Sequence, residues 1–191
     1  SFIELIHEIR GIYHGLLTYS ANWDDVDSTI ILGELDLIGI NAFYPLGERD
    51  GATVSELLAG GEKARTKVHA LAELWQRPVL FTEIGYTTRP NPAIRPWEWP
   101  DAMKAVRVDE NAQALAYHAL VRPLLEEPYF AGFFVWRVYS DPDDVSQEAE
   151  WGFSPRGKLA QTVVEDAFAA RWAGDGSRRW GLPVRNLAVR F

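Results

Sequence analysis

Four short apolar runs alternate along this chain with segments in which apolar residues recur every three or four positions. The runs cover residues 15–22, 35–45, 78–85 and 131–139. They are too short for buried helices and nearly continuous in apolar residues, as strands covered on both faces are. A helical stripe of Phe2, Leu5, Ile6, Ile9 and Tyr13 precedes the first run, and a short helix through Val26 to Leu32 follows it. Ala64, Val68, Leu71, Ala72 and Trp75 then mark a helix between the second and third runs. Ala112, Leu115, Ala116, Ala119 and Leu120 mark another before the fourth, and Ala160, Val163, Val164, Ala167 and Phe168 a last one after it. Helix and strand in strict alternation predict parallel strands joined by right-handed crossovers, an α/β layout.

Two architectures share that layout, the open doubly wound sheet and the (β/α)8 barrel. Doubly wound dinucleotide folds place a glycine-rich fingerprint after their first strand. None of the four runs here is followed by GxGxxG or GxxxxGK[ST], which removes support for nucleotide binding. The runs instead share a polar or aromatic residue at the C-terminal end: Asn22 and Trp23, Asn41 and Tyr44, Glu83, and Trp136 with Tyr139. Functional groups gathered at strand C-termini are what a barrel active site is made of.

Composition narrows the function classes. The 191 residues carry 27 acidic against 19 basic side chains, a net charge of -8, with no Lys/Arg run able to track a phosphate backbone, so no nucleic-acid partner is expected. No apolar stretch approaches the ~20 residues that span a bilayer, so no membrane association is expected either. The absence of cysteine excludes disulfides, thiolate metal sites and a cysteine nucleophile, and leaves the compartment open. No signal peptide is readable before the first helix, so localisation stays unassigned. The 8 Trp, 7 Tyr and 9 Phe are material either for an aromatic-rich core or for a sugar-binding surface.

Glu83 is the sharpest single signal. It ends the apolar run 78–81 by one intervening threonine, so its carboxylate must face a polar pocket, pair with a cation, or lose its charge. After it comes a stretch, residues 89–100, in which Pro90, Pro92, Pro96 and Pro100 forbid helix and central strand and Trp97 and Trp99 add two large aromatics. A loop of that kind is expected over a site.

The segments around these residues carry a family resemblance. Residues 82–86 (TEIGY) resemble the seventh-strand nucleophile motif of clan A glycoside hydrolases. Together with residues 17–23 (LTYSANW), 36–46 (DLIGINAFYPL) and 151–158 (WGFSPRGK), they are similar to glycoside hydrolase family 113. The resemblance covers roughly residues 1–172 and implies a TIM barrel and a retaining endo-β-1,4-mannanase-like activity. It makes Glu83 the nucleophile and Tyr44 the hydroxyl that hydrogen-bonds and orients it. Trp136, on the last strand, becomes the floor of the sugar site. Asn22 and Trp23 are candidate hydroxyl and stacking contacts to substrate, and Trp97 and Trp99 rank below them.

The resemblance also implies an omission. Clan A enzymes carry a general acid/base Glu at the end of the fourth barrel strand, and this sequence opens on the helix that would follow it. Glu34 and Asp36 lie at the wrong end of their strand, and Asp24 and Asp25 lack a matching motif. Asp141, Asp143 and Asp144 read as an acidic loop, with a cation site as the less favoured alternative. His7, His14, His69 and His118 have no metal-ligand spacing, and no serine sits in a GxSxG elbow.

The expectation is therefore the C-terminal half of a (β/α)8 barrel over residues 1–173, strands five to eight, with a peripheral tail over 174–191 and no cofactor or metal. Its function would be that of a retaining glycoside hydrolase fragment acting on an oligosaccharide or polysaccharide, most simply β-1,4-mannan. The alternative is a non-catalytic carbohydrate-binding or self-pairing module. Either reading leaves two strand edges and an apolar interior face to be covered, by a complementary N-terminal half-barrel or by self-association.

Overall fold

A computed structural model describes residues 1–99, 107–141, 148 and 150–173. The expected tail over 174–191 and the acidic residues Asp143 and Asp144 lie outside the described residues. The element order is α1 (Phe2–Arg10), β1 (Thr18–Asn22), β2 (Leu37–Asn41), α2 (Val54–Trp75), β3 (Val79–Ile84), α3 (Glu110–Val121), β4 (Phe130–Val135) and α4 (Leu159–Ala173). All neighbouring strands pair in parallel, in the order β1-β2-β3-β4. This order decides between the two architectures: a doubly wound sheet reverses direction at a switch point, whereas these strands advance without reversal, as barrel strands do. The chain folds as half of a (β/α)8 barrel.

Local chemistry explains the boundaries. Ser1 Oγ accepts the Glu4 amide at the start of α1, and Thr53 caps α2 reciprocally with Glu56, satisfying two otherwise orphaned amides there. Asp109 accepts the Ala112 amide at 3.0 Å to start α3. The helix expected through Val26 to Leu32 is instead two 3₁₀ turns, Val26–Ser28 and Ile30–Glu34, because Thr29 between them is extended at φ -80° and ψ 98°. β1 begins at Thr18 rather than residue 15, since the Leu17 amide is drawn to the Asp36 carboxylate at 2.7 Å.

Right-handed crossovers between strands in unbroken order place the helices on one face of the sheet. Val79, Phe81, Ile38, Ile40 and Phe130 bury against that layer, which supplies Val68, Ala72, Ala116 and Leu120. Gly61 sets the helix spacing: a Cβ there would lie 1.8 Å from the Ala119 carbonyl oxygen, so only glycine lets α2 approach α3 this closely. The opposite face is mixed in polarity, not apolar as expected. Thr18, Ser20 and Asn22 are exposed there and Asn41 and Thr82 half-buried, beside the apolar Leu37, Leu80 and Phe134, the last 42% exposed. The α1 stripe also differs from expectation, with only Ile6 buried while Phe2, Leu5, Ile9 and Tyr13 stay exposed.

Candidate active site

Strict alternation along β3 would send Glu83 to the same side as Val79 and Phe81, into the helix-covered core. An extra residue prevents this. Ile40 pairs with Phe81 but Asn41 with Glu83, and on the other side Phe81 pairs with Phe133 but Ile84 with Val135, so both neighbouring strands see one additional residue in β3. Such a bulge re-aims the side chains around it. The phase resets: Ile84 enters the core at 0% exposure, while Glu83 and Thr82 remain half-exposed. The Ala42 amide donates to the Glu83 carbonyl at 2.7 Å and fixes the backbone.

Around Glu83 the strand ends are linked by polar side chains. Thr82 Oγ1 donates to Asn41 Oδ1 at 3.0 Å, and Asn41 Nδ2 to Asn22 Oδ1 at 3.4 Å. Asn22 thus joins the site through Asn41. Burial pushes the Glu83 carboxyl above the usual carboxylate range.

The aromatic side of the site lies beyond β3 and β4. Trp136 stands just past the end of β4, not on the strand as expected, and its amide donates to the Ile84 carbonyl at 2.8 Å. Gly85 admits it: a Cβ at Gly85 would meet the Trp136 carbonyl oxygen at 2.6 Å and Phe153 at 3.1 Å. Trp99 completes the group, 6.2 Å from Trp136 and 5.8 Å from Phe153 between ring centroids. Phe43 meets Phe153 edge-on at 6.3 Å, and the Arg137 guanidinium lies 5.3 Å from the Trp99 ring centre. Phe43, Phe153 and Arg137 were not singled out from the sequence.

Tyr44 departs from expectation. Its ring packs 5.7 Å from Trp23 and 6.1 Å from the core residue Phe81, and its buried hydroxyl has no hydrogen-bond partner among the described residues, so the expected bond to Glu83 is not made. Burial, with a smaller push from Asp27, raises its pKa far above the ordinary phenol value, and Tyr44 stays neutral. Phe43, not Tyr44, meets Phe153.

The Pro-rich loop holds both of its tryptophans in place. Trp97 stacks on Trp23 at 5.7 Å and 18°, while Trp99 reaches the Trp136 group. Between them Glu98 forms ion pairs with Arg89 and, at 2.7 Å, with Arg95. A second brace joins the loops after β3 and β4. The fully buried Gln113 on α3 donates to the Tyr86 carbonyl at 2.7 Å and the Phe153 carbonyl at 3.1 Å. Thr88 donates to the Glu150 carbonyl at 2.6 Å, and Lys158 Nζ lies 3.3 Å from the Gly152 carbonyl. One signal for Gln113 was available in the sequence: a lone amide in register with Ala116, Tyr117 and Leu120 on a buried stripe.

Other titratable clusters are accounted for elsewhere. Asp36 sits at the N-terminal end of β2, paired with Arg10, as its position in the sequence implied. Among the described residues no group of three or more His, Asp or Glu is placed to hold a metal ion. No helix among them is long and apolar enough to cross a membrane.

The profile of Glycoside Hydrolase Family 113 matches residues 1–158. The chain belongs to glycoside hydrolase family 113. Its fold is that of solved members: a family 113 β-1,4-mannanase complex superposes with a TM-score of 0.69 at 22% identity, over 89% of this chain and 50% of that one. The family 113 β-mannanase from Alicyclobacillus acidocaldarius, solved with ManMIm, gives 0.69 at 24% identity, over 88% and 50%. A Faecalibacterium prausnitzii β-glucuronidase gives 0.57 at 19%, over 88% of this chain and 27% of that one. This family 113 chain thus spans about half the length of the mannanases it superposes on. No curated protein matches it.

Proposed function

We propose that this family 113 chain carries the nucleophile half of a retaining glycosidase site, with Glu83 as nucleophile and β-1,4-mannan as substrate. The observation that carries the reading is the β3 bulge, which turns a carboxylate out of the core at the C-terminal end of a barrel strand. In the retaining reaction the Glu83 carboxylate attacks the anomeric carbon and the glycosidic oxygen leaves. A carboxylic acid about 5–5.5 Å away protonates that oxygen, and a water, activated by the same group, then hydrolyses the glycosyl ester. Trp136, with Trp99 and Phe153 behind it, offers a flat apolar ring to the C–H face of a pyranose, and Asn22 and Asn41 offer amides to its hydroxyls.

The acid/base is proposed to come from a complementary half-barrel. Among the described residues, Glu98 is paired with Arg89 and Arg95, Glu148 accepts from Tyr139 and the Ser154 amide, and Asp109 caps α3. Aryl β-mannosides with good leaving groups need little acid assistance, so the 191-residue chain should hydrolyse them slowly and leave β-mannan untouched. Glu83→Gln should abolish that residual turnover. Equal turnover by Glu83→Gln would overturn the nucleophile assignment, and hydrolysis of polymer by the chain alone would overturn the need for a second half.

A further inference from the structure

Arg137 sits in the aromatic group beside Trp136, and the retaining reaction gives it no task. Its guanidinium lies 5.3 Å from the centre of the Trp99 ring and 4.8 Å from that of Tyr139, both within the ~6 Å of a cation–π contact. Both rings are held from behind. Trp99 packs on Trp136 and Phe153, and the Tyr139 hydroxyl donates at 2.9 Å to Glu148, which also accepts the Ser154 amide at 2.6 Å. The cation is thereby fixed in place before any ligand arrives, which lowers the ordering cost of binding. Ring contacts engage the charge of a guanidinium and leave its N–H donors for other acceptors.

Those donors meet no acceptor among the described residues, and this sets Arg137 apart. The other half-buried arginines there all have one: Arg10 pairs with Asp36, Arg65 with Glu127 and Arg89 with Glu98, while Arg77 donates to the Leu35 and Gly33 carbonyls. Taking a charge partly out of water costs free energy that unmade hydrogen bonds do not return. Nor is Arg137 the counter-ion of Glu83, whose carboxyl is raised by burial, whereas an adjacent guanidinium would lower it. In a chain of net charge -8, a half-buried cation without a carboxylate partner among the described residues stands one residue after the sugar-floor Trp136. The planar fork of a guanidinium matches a carboxylate with two parallel hydrogen bonds. A pyranose that bears a carboxylate is a hexuronate.

We propose that Arg137 is a specificity residue, which binds the carboxylate of a hexuronate unit in a β-linked oligosaccharide and makes the site prefer acidic over neutral sugar. The inference rests on the reading of Trp136 as the sugar floor. Equilibrium dialysis of the full chain against tritium-labelled β-1,4-mannotriose and β-1,4-trimannuronate tests it, with circular dichroism confirming that each variant is folded. The wild-type chain should bind the uronate about tenfold or more tighter than the neutral trisaccharide, and high salt should erode that preference. Arg137→Gln should abolish the preference, and Arg137→Lys, which keeps the charge but not the fork, should retain part of it. A residue that only packs the loops would weaken both sugars alike and leave their ratio unchanged, so an Arg137→Gln variant with the wild-type ratio would overturn the inference. Equal binding of the two sugars by the wild-type chain, or no binding of the uronate, would overturn it as well. Hydrolysis of aryl β-mannoside and its loss in Glu83→Gln are measured without any uronate. Intact hydrolysis with no uronate preference therefore removes the role of Arg137 alone, and a uronate preference without hydrolysis removes the nucleophile assignment alone.

Discussion

Thr82 Oγ1 donates a 3.0 Å hydrogen bond to Asn41 Oδ1 across the β2–β3 ladder, one residue before Glu83. The bond fastens the bulged residue to the neighbouring strand at the point where the register shifts. Thr82→Val keeps shape and β-branching while removing the donor. Because the site is half-open to water, the expected stability loss is about 1 kcal/mol or less by urea unfolding. The larger effect should fall on turnover of aryl β-mannoside, since Glu83 loses its anchor, and Thr82→Ser should restore it. A variant with unchanged turnover would show that the bulge stands without this bond.

Burial places the Glu83 carboxyl above the ordinary carboxylate range. A nucleophile must be ionised, so turnover should rise with pH through this raised pKa, with an acid limb above the ~4.3 of a free glutamate. Stability carries the opposite sign. The folded state holds its proton more tightly than the unfolded chain, so folding is favoured at low pH and loses that contribution as pH rises from the unfolded pKa through the folded one. Carboxyl 13C NMR titration of the chain, assigned with Glu83→Gln, measures the shift directly. A midpoint at or below 4.3 would contradict it.

The half-barrel was legible because its signals are local. Periodicity placed every helix core from Ala64 to Ala167 correctly, and the apolar runs at Leu37–Asn41 and Val79–Ile84 became strands. What the sequence concealed depends on a single inserted residue or on contacts between distant segments. Nothing local in residues 82–83 reveals that β3 bulges, and the direction in which Tyr44 or Phe43 turns after β2 depends on Phe81 and Phe153, which come later in the chain. Trp97 ranked low because a proline-rich loop does not disclose which strand end its aromatics reach. In the sequence, the motif at residues 151–158 is a family mark and nothing more. Its physical role, binding the loops after β3 and β4 through Gly152, Phe153 and Lys158, appears only with Thr88 and Gln113 beside it.

Asp36 anchors the opposite end of the sheet from Glu83. Burial alone would raise its pKa, but the Leu17 amide and the Arg10 and Arg77 guanidiniums outweigh that and hold it below the usual range. A depressed carboxyl contributes stability above its unfolded pKa of ~3.9, and that contribution is lost as pH falls through the folded value. Melting temperature measured from about pH 5 down to about pH 2 should therefore fall less steeply in Asp36→Asn than in wild type. The variant should also be less stable near neutrality. Parallel acid limbs for the two proteins would refute the assignment.

Gln113 offers the sharpest test of how the fold supports the aromatic group. Its amide is fully buried and donates to both the Tyr86 and Phe153 carbonyls, which otherwise have little access to water. Gln113→Met preserves length and volume but leaves both acceptors unpaired, a cost of roughly 1–3 kcal/mol each at most, offset in part by the removed burial of the amide. After that offset, urea unfolding should show a net loss of about 2 kcal/mol. The released Phe153 backbone should loosen the contacts of Trp99 and Trp136, seen as a fall in near-ultraviolet circular dichroism while the far-ultraviolet spectrum is kept. If Gln113→Met were as stable as wild type with an unchanged aromatic spectrum, the Trp136 group would owe its position to ring packing alone.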